Sequence, residues 1–521
     1  MAARDRRWSR AYPLILAISG CAGHGLDQSE PAPQGQFGSA GKSANGPLST
    51  DANSADFDST QCEERLPRDG LAIAPPKPSS TCSVSDRDAS KICDGARCPV
   101  SRAYEFGCAG SGYGPWVVPS GPSGSVTMFV TNTGEFDTHL FSVDAESAVA
   151  EDVAEPTSAL NSLASDHCGR VSLFSGQSPG IQLISSEAPA QWLRQEVVTL
   201  PLPALAMLAD ARTMNDSAGL AAYYQMDDHL PRIALREQSG WSTRVLGNPR
   251  VTSMGLDVDD RGAPWVAWLR DDQAGFPSLD LVAPDGSIHH VSSGSLIEPT
   301  DFWRKPVVLA GGITGTSAYP ALAAALGDGV HLWTADATGS HWSDHLLFSP
   351  ADSGDTRGAG DCVYDDSGTD PCGGKTTCTR VWNEARGRLG LVRTQSGRAY
   401  AAWVQSAGEV NYTLSRSVST RTGKAICQPQ AASSRGTAEL VIAALTDELA
   451  VPPTITRLRF EVGSPLDDRG LALAVRGDSL LLAASLGAGE DAKITYLELD
   501  STRLLPDDTA DESAGGSPPH G

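Results

Sequence analysis

Residues 255–270 read GLDVDDRGAPWVAWLR, residues 321–336 ALAAALGDGVHLWTAD, residues 390–405 GLVRTQSGRAYAAWVQ and residues 470–486 GLALAVRGDSLLLAASL. Each is a short apolar run, a break rich in Gly and Asp, and a second apolar run, which spells strand, tight turn, strand. Residues 219–235 (GLAAYYQMDDHLPRIAL) follow the same plan. Aligned on Val171, Leu220, Leu256, Ala321, Leu391 and Leu471, the units place Leu183, Arg232, Trp268, Trp333, Trp403 and Ala483 twelve residues on. Twenty-one residues on stand Trp192, Trp241, Pro277, Trp342, Tyr412 and Ala492. Four of those six are aromatic in a chain that is 6% aromatic, so the units repeat.

Strand-rich units repeating at this length predict an all-β chain, a β-propeller in which each unit is one four-stranded blade. Seven blades is the expected count, with six and eight as the alternatives. The propeller is expected over 120–502, with 124–150 as a blade ahead of the first anchor. Trp192, Trp241, Trp342 and Tyr412 are expected at one equivalent position, packed between neighbouring sheets. Residues 159–164 and 202–214 read as short helical turns. Residues 22–60 hold Gly, Ser, Ala, Pro, Asp and Gln with few large apolar side chains, which gives a flexible tether over 21–60. At about 5–6 Å × √n, such a tether reaches roughly 35 Å. A small loop-rich, cysteine-rich segment is expected over 61–119, and a disordered tail over 503–521.

The chain opens with Arg4, Arg6, Arg7 and Arg10, a short apolar run from Ala11 to Ile18, and then Ser19-Gly20-Cys21. That run is shorter than the ~20 residues a membrane-spanning helix needs. This order of charge, apolar run and small residues before a cysteine resembles the signal peptide and lipobox of bacterial lipoproteins, over residues 1–20. The resemblance implies cleavage before Cys21, a diacylglyceryl group on its thiol and a lipid anchor in the cell envelope. Ala22, where an Asp would signal retention, favours the outer membrane or cell surface.

The formal charge is −23, and residues 1–20 carry four Arg and one Asp, so the remainder stands at about −26. Such a balance excludes nucleic acid, for want of a basic face to release phosphate counterions. It also argues against holding anionic headgroups by overall surface charge. Setting Cys21 aside leaves ten cysteines: Cys62, Cys82, Cys93, Cys98, Cys108, Cys168, Cys362, Cys372, Cys378 and Cys427. An even set in an exported chain reads as disulfides. Cys93–Cys98 and Cys362–Cys372 are the expected bridges, with Cys378–Cys427 as a third. Zinc held by Cys82, Cys93, Cys98 and Cys108 lacks the paired C-x-x-C spacing.

Other motifs weigh little. GQSPG (176–180) matches the hydrolase elbow, but strands flank it where the elbow needs a following helix, so Ser178 reads as a hairpin-turn residue. His341 and His345 would lie about 13 Å apart on a strand, too far for one ion. Asp257, Asp259 and Asp260 resemble a calcium loop without its downstream acid. Asp361, Asp365, Asp366 and Asp370 form the better calcium candidate, and no other cofactor is expected. The Trp-Asp, sialidase Asp-box, quinone and kelch signatures are absent from the sequence. Two function classes follow. One is a non-catalytic, membrane-anchored module whose propeller binds a protein or glycan. The other is a glycan-acting hydrolase or lyase with paired carboxylates in the axial funnel.

Overall fold

The computed structural model describes residues 70–504, apart from short stretches of which 293–306, 311–318 and 350–370 are the longest. Among the described residues the chain forms seven antiparallel sheets and no α-helix. In chain order the first strands of sheets I to VII are Ser111–Pro119, Asn161–Ser165, Ala206–Thr213, Val251–Val258, Val307–Ala310, Thr377–Arg393 and Gly470–Arg476. Each of these contacts the first strand of the next sheet, and Gly470–Arg476 contacts Ser111–Pro119. The ring is therefore closed, with one inner strand per sheet around its centre. It is a β-propeller of seven blades.

Seven sheets enclose seven apolar clusters, one at each junction, where an open row would have six. The sequence produces this through the two-residue period of the strand, because alternate side chains leave opposite faces. In Ala321–Leu326, Ala321, Ala323 and Ala325 pack toward sheet VI, and Leu322, Ala324 and Leu326 pack toward sheet IV. In sheet VI, Tyr400, Ala402 and Val404 face sheet VII, and Ala399, Ala401 and Trp403 face sheet V. Both faces are buried, so these strands read as continuous apolar runs.

The inner strands crowd one another. A Cβ on Gly390 of sheet VI would stand 2.2 Å from Leu473 Cβ of sheet VII. Small residues fit there, and this corrects the helical reading of 159–164 and 202–214. Those Ala-rich segments hold the inner strands Asn161–Ser165 and Ala206–Thr213, where burial on both faces outweighs helix propensity.

The N-terminal segment is also corrected. The described residues of the 61–119 segment do not form a module ahead of the ring. Ser111–Pro119 is the first strand of sheet I, and Val100–Cys108 is the fourth strand of sheet VII, paired to Lys493–Asp500. Leu71–Ile73, Lys77–Pro78 and Cys82–Asp86 add fifth, edge strands to sheets II, I and VII. Without Val100–Cys108, sheet VII would keep three strands from the C-terminal side and expose Tyr496 and Leu497, both wholly buried.

Cys93 and Cys98 are bridged, Cα to Cα 5.4 Å, and Cys82 is bridged to Cys108 across two paired strands at 4.1 Å. Cys372 is bridged to Cys427 at 5.0 Å, which replaces the expected Cys362–Cys372 and Cys378–Cys427 pairings. Cys378 lies opposite Tyr412, and Tyr412 opposite Ala431. Cys427 is four residues further along that third strand, about 13 Å away, which a disulfide cannot span. Cys168 and Cys378 are also disulfide-bonded, with partners outside the described residues. No helix among the described residues is long and apolar enough to cross a membrane.

Candidate functional site

At the ring centre a bulge between Leu208 and Asp210 sits in the inner strand of sheet III. Asp210 Oδ1 accepts hydrogen bonds from Ser162 Oγ (3.1 Å), the Ala211 amide (2.9 Å) and Arg212 Nη1 (3.0 Å). Its Oδ2 receives the Leu256 amide at 3.4 Å. Ser162 belongs to the inner strand of sheet II and Leu256 to that of sheet IV, so one buried carboxylate ties three inner strands together. Donors on both oxygens stabilise the anion and oppose its use as a general acid or base.

A second kind of polar network runs across the strands of single blades. In sheet I, Thr131 Oγ1 meets His139 Nε2 at 2.9 Å, and His139 Nδ1 meets Asp152 Oδ1 at 2.7 Å. In sheet IV, Trp268 Nε1 donates to Asp280 Oδ2 (3.2 Å) and His290 Nδ1 meets Asp280 Oδ1 at 2.8 Å. In sheet V, His331 Nδ1 meets Asp344 Oδ1 at 2.9 Å. The first set has the atom order of a hydroxyl–imidazole–carboxylate triad. Its hydroxyl is 1% exposed and its imidazole 3%, so no substrate reaches it. The sulfurs of Cys82 and Cys108 lie within 4.8 Å of a His139 nitrogen, but both are committed to a disulfide and offer no thiolate. These networks went unread in the sequence. The signal was there: a His followed 13 residues later by an Asp occurs at His139–Asp152 and again at His331–Asp344.

The exposed feature is in sheet VI. Its first three strands, Thr377–Arg393, Ala399–Val418 and Ala425–Leu445, are 17, 20 and 21 residues long, against 4 to 9 in the four-stranded sets of the other sheets. Residues 399–404 are packed in the ring, and 406–418 continue beyond it for roughly 40 Å at about 3.3 Å per residue. The fourth strand, Thr454–Val462, pairs the third only from Gly436 to Ala444. Among the described residues no strand flanks the rest of this three-stranded arm. One face carries a polar ladder: Thr379 Oγ1 donates to Asn411 Oδ1 (2.7 Å), and Asn411 Nδ2 donates to Ser433 Oγ (3.3 Å). The alternate positions along the middle strand are Tyr412, Leu414, Arg416 and Val418, and Val418 is 64% exposed. The Cys372–Cys427 bridge fastens the segment entering the arm to its third strand.

No protein-family pattern matches the chain, and no curated protein does. Solved structures with a similar path exist. A protein from Lactobacillus plantarum is 12% identical, with TM-score 0.37 over 74% of this chain and 98% of its own. The WD40 domain of SCAP from fission yeast is 10% identical, with TM-score 0.33 over 82% and 100%. AofleA from Arthrobotrys oligospora is 9% identical, with TM-score 0.36 over 74% and 94%. The architecture stated above rests on the sheet order of this chain.

Several sequence expectations lie outside the described residues: Cys21 and its lipid, Cys62, Cys362, Ser178, Asp259 and Asp260, and the calcium candidates Asp361, Asp365, Asp366 and Asp370. The strands bracketing Ser178 are present, with Gln177 paired to Gly180. Trp192, Trp241 and Trp342 all stand at the start of a fourth strand, half-buried against the preceding sheet. Tyr412 does not join them. It lies in the second strand of sheet VI, because that strand runs on into the arm.

Proposed function

We propose that this chain is an exported, lipid-tethered propeller acting as a non-catalytic binding or scaffold module of the cell envelope, with a protein or glycan partner. The observation that carries this reading is how the converging polar groups are used. Asp210, Thr131 and His139 are buried and bonded to their own neighbours, and the part-exposed Asp152 is engaged by His139, whereas the largest departure from a plain ring among the described residues is an exposed arm. Disulfides that close on this fold support an oxidising compartment. The lipobox at Cys21 supplies the anchor in this reading.

Two measurements test it. Intact-mass analysis of the purified mature protein should give a chain starting at an acylated Cys21, and an unmodified thiol there would remove the anchor. Incubation with arrayed envelope glycans and peptides should show reversible binding with each ligand recovered unchanged. Turnover of any ligand would overturn the non-catalytic reading.

A further inference from the structure

We infer that Cys82, Cys108 and His139 form a zinc site, masked while the two cysteines are bridged and opened when a dithiol reduces them. Among the described residues this is the one place where three His, Cys, Asp or Glu side chains offer ligand atoms to a common point, all within 4.8 Å of one another. A tetrahedral zinc ion has Zn–S at about 2.3 Å and Zn–N at about 2.0 Å, so its ligand atoms stand about 3.5–3.8 Å apart. Reaching that spacing asks the imidazole to move in by about 1 Å and the two sulfurs to part. Cys82 and Cys108 lie directly opposite each other on the edge strand and the fourth strand of sheet VII, and His139 lies on the third strand of sheet I. The bridge therefore fastens two strands of one sheet. The ion would fasten sheet VII to sheet I, at the apolar junction where the last sheet meets the first.

His139 is already set up as a ligand. A histidine that binds zinc is neutral, and an acceptor holds its second ring nitrogen. His139 is 3% exposed, with Thr131 Oγ1 at 2.9 Å from Nε2 and Asp152 Oδ1 at 2.7 Å from Nδ1. Whichever nitrogen turns to the ion, the other keeps its partner. Phe106, Phe141 and Val143 of the same junction are buried and apolar, which keeps water from the inner side. Cys82 is only partly buried and the Asp152 side chain is 37% exposed, so the outer side admits the reductant, the ion and a water as fourth ligand. The strand of Cys82 is a fifth one, so opening the bridge leaves sheet VII its four blade strands. Cys93 and Cys98 are bridged to each other and take no part. In the step itself, the dithiol passes two electrons and two protons to the two sulfurs and leaves as its own disulfide. Zinc then displaces both protons to solvent and binds two thiolates. The site needs neither the lipid tether nor the binding partner, so it stands or falls separately from both.

Cobalt(II) and zinc titrations of the purified protein, reduced with dithiothreitol and desalted without air, provide the test. The reduced protein should bind one more equivalent of metal than a Cys82→Ser with Cys108→Ser variant treated in the same way. That equivalent should carry the thiolate-to-cobalt charge-transfer bands of a tetrahedral site, and the oxidised protein should lack it. His139→Gln should weaken it by at least the roughly 10–100-fold that losing an outer partner of a zinc ligand costs. Near-UV circular dichroism checks that the variants keep the ring. Two further readouts need no substitution: zinc should slow alkylation of Cys82 and Cys108 in the reduced protein and raise its melting temperature. Four results would overturn the inference. They are equal stoichiometry in the double serine variant, alkylation at Cys82 and Cys108 indifferent to zinc, unmoved affinity in a folded His139→Gln protein, and loss of the ring on reduction before any metal is added.

Discussion

Trp268, Trp333 and Trp403 are at most 1% exposed, whereas Trp192, Trp241 and Trp342 keep part of their surface in water. The two groups should therefore differ in what they contribute. Trp403→Ala removes a side chain packed between sheets V and VI and should cost about 3–5 kcal/mol; Trp192→Ala should cost less than half of that. Urea denaturation of the two variants decides the matter, and equal costs would refute the burial assignment. The sequence revealed both groups by spacing but sorted them imperfectly. Val171, Leu220 and Ala321 lie in second strands, and Leu256, Leu391 and Leu471 in first strands. Successive hairpins of one blade have similar lengths and turns, so residue counting cannot tell the first hairpin from the second. Tyr496 yields a pH prediction. Burial pushes its phenol up to about 12, although a 2.7 Å hydrogen bond with Ser125 Oγ pulls the other way. Below the usual value of about 10 the folded and unfolded states are both neutral and nothing is lost. Between 10 and 12 the unfolded chain ionises first, so stability falls as pH rises, by up to about 1.4 kcal/mol per pH unit. Tyr496→Phe should flatten the fall in urea midpoint from pH 9 to 11.5, and an unchanged slope would assign it to other groups.

Blade-length hairpins were legible because both strands are apolar and the turns carry Gly and Asp. The arm was not. Its strands hold Ser, Thr, Asn and Gln, which read as loop when no core lies beneath them, and pairing with one another keeps them extended. The inner strands near Asn161 and Ala206 were misread for the opposite reason, since crowding at the ring centre selects small residues that also favour helix. The arm should be separable from the ring in stability. Cys372 and Cys427 are 55 residues apart, and a closed loop of that size is worth at most about 4 kcal/mol. Cys372→Ser with Cys427→Ser should speed amide exchange and proteolysis in 406–437 while the strands of sheets II to IV keep their protection. Loss of protection throughout would mean that the arm is integral to the ring.

Closure of the ring makes the seven sheets one cooperative unit. Each apolar cluster is shared by two neighbours, so no sheet can leave without exposing two of them. Deleting Val100–Cys108 should abolish the single calorimetric transition and leave an aggregating chain, because sheet VII would lose its fourth strand and both its junctions would open. Val149→Lys, on an exposed position of sheet I, should shift the melting temperature by no more than a few degrees. Sequence repeats gave the blade count but not the mode of closure, because Val100–Cys108 (VSRAYEFGC) sits among cysteines and Pro-rich turns that mask its partnership with a segment at the far end of the chain.

That partnership sets a timetable for biogenesis. Cys108 leaves the ribosome about 360 residues before Gly470, the start of the strands that complete its sheet. At about 5–20 residues per second, the early strand waits roughly 20–70 s for its partners. Until Gly470–Asp500 has been made, the ring has no way to close and both junctions of sheet VII stay open to solvent.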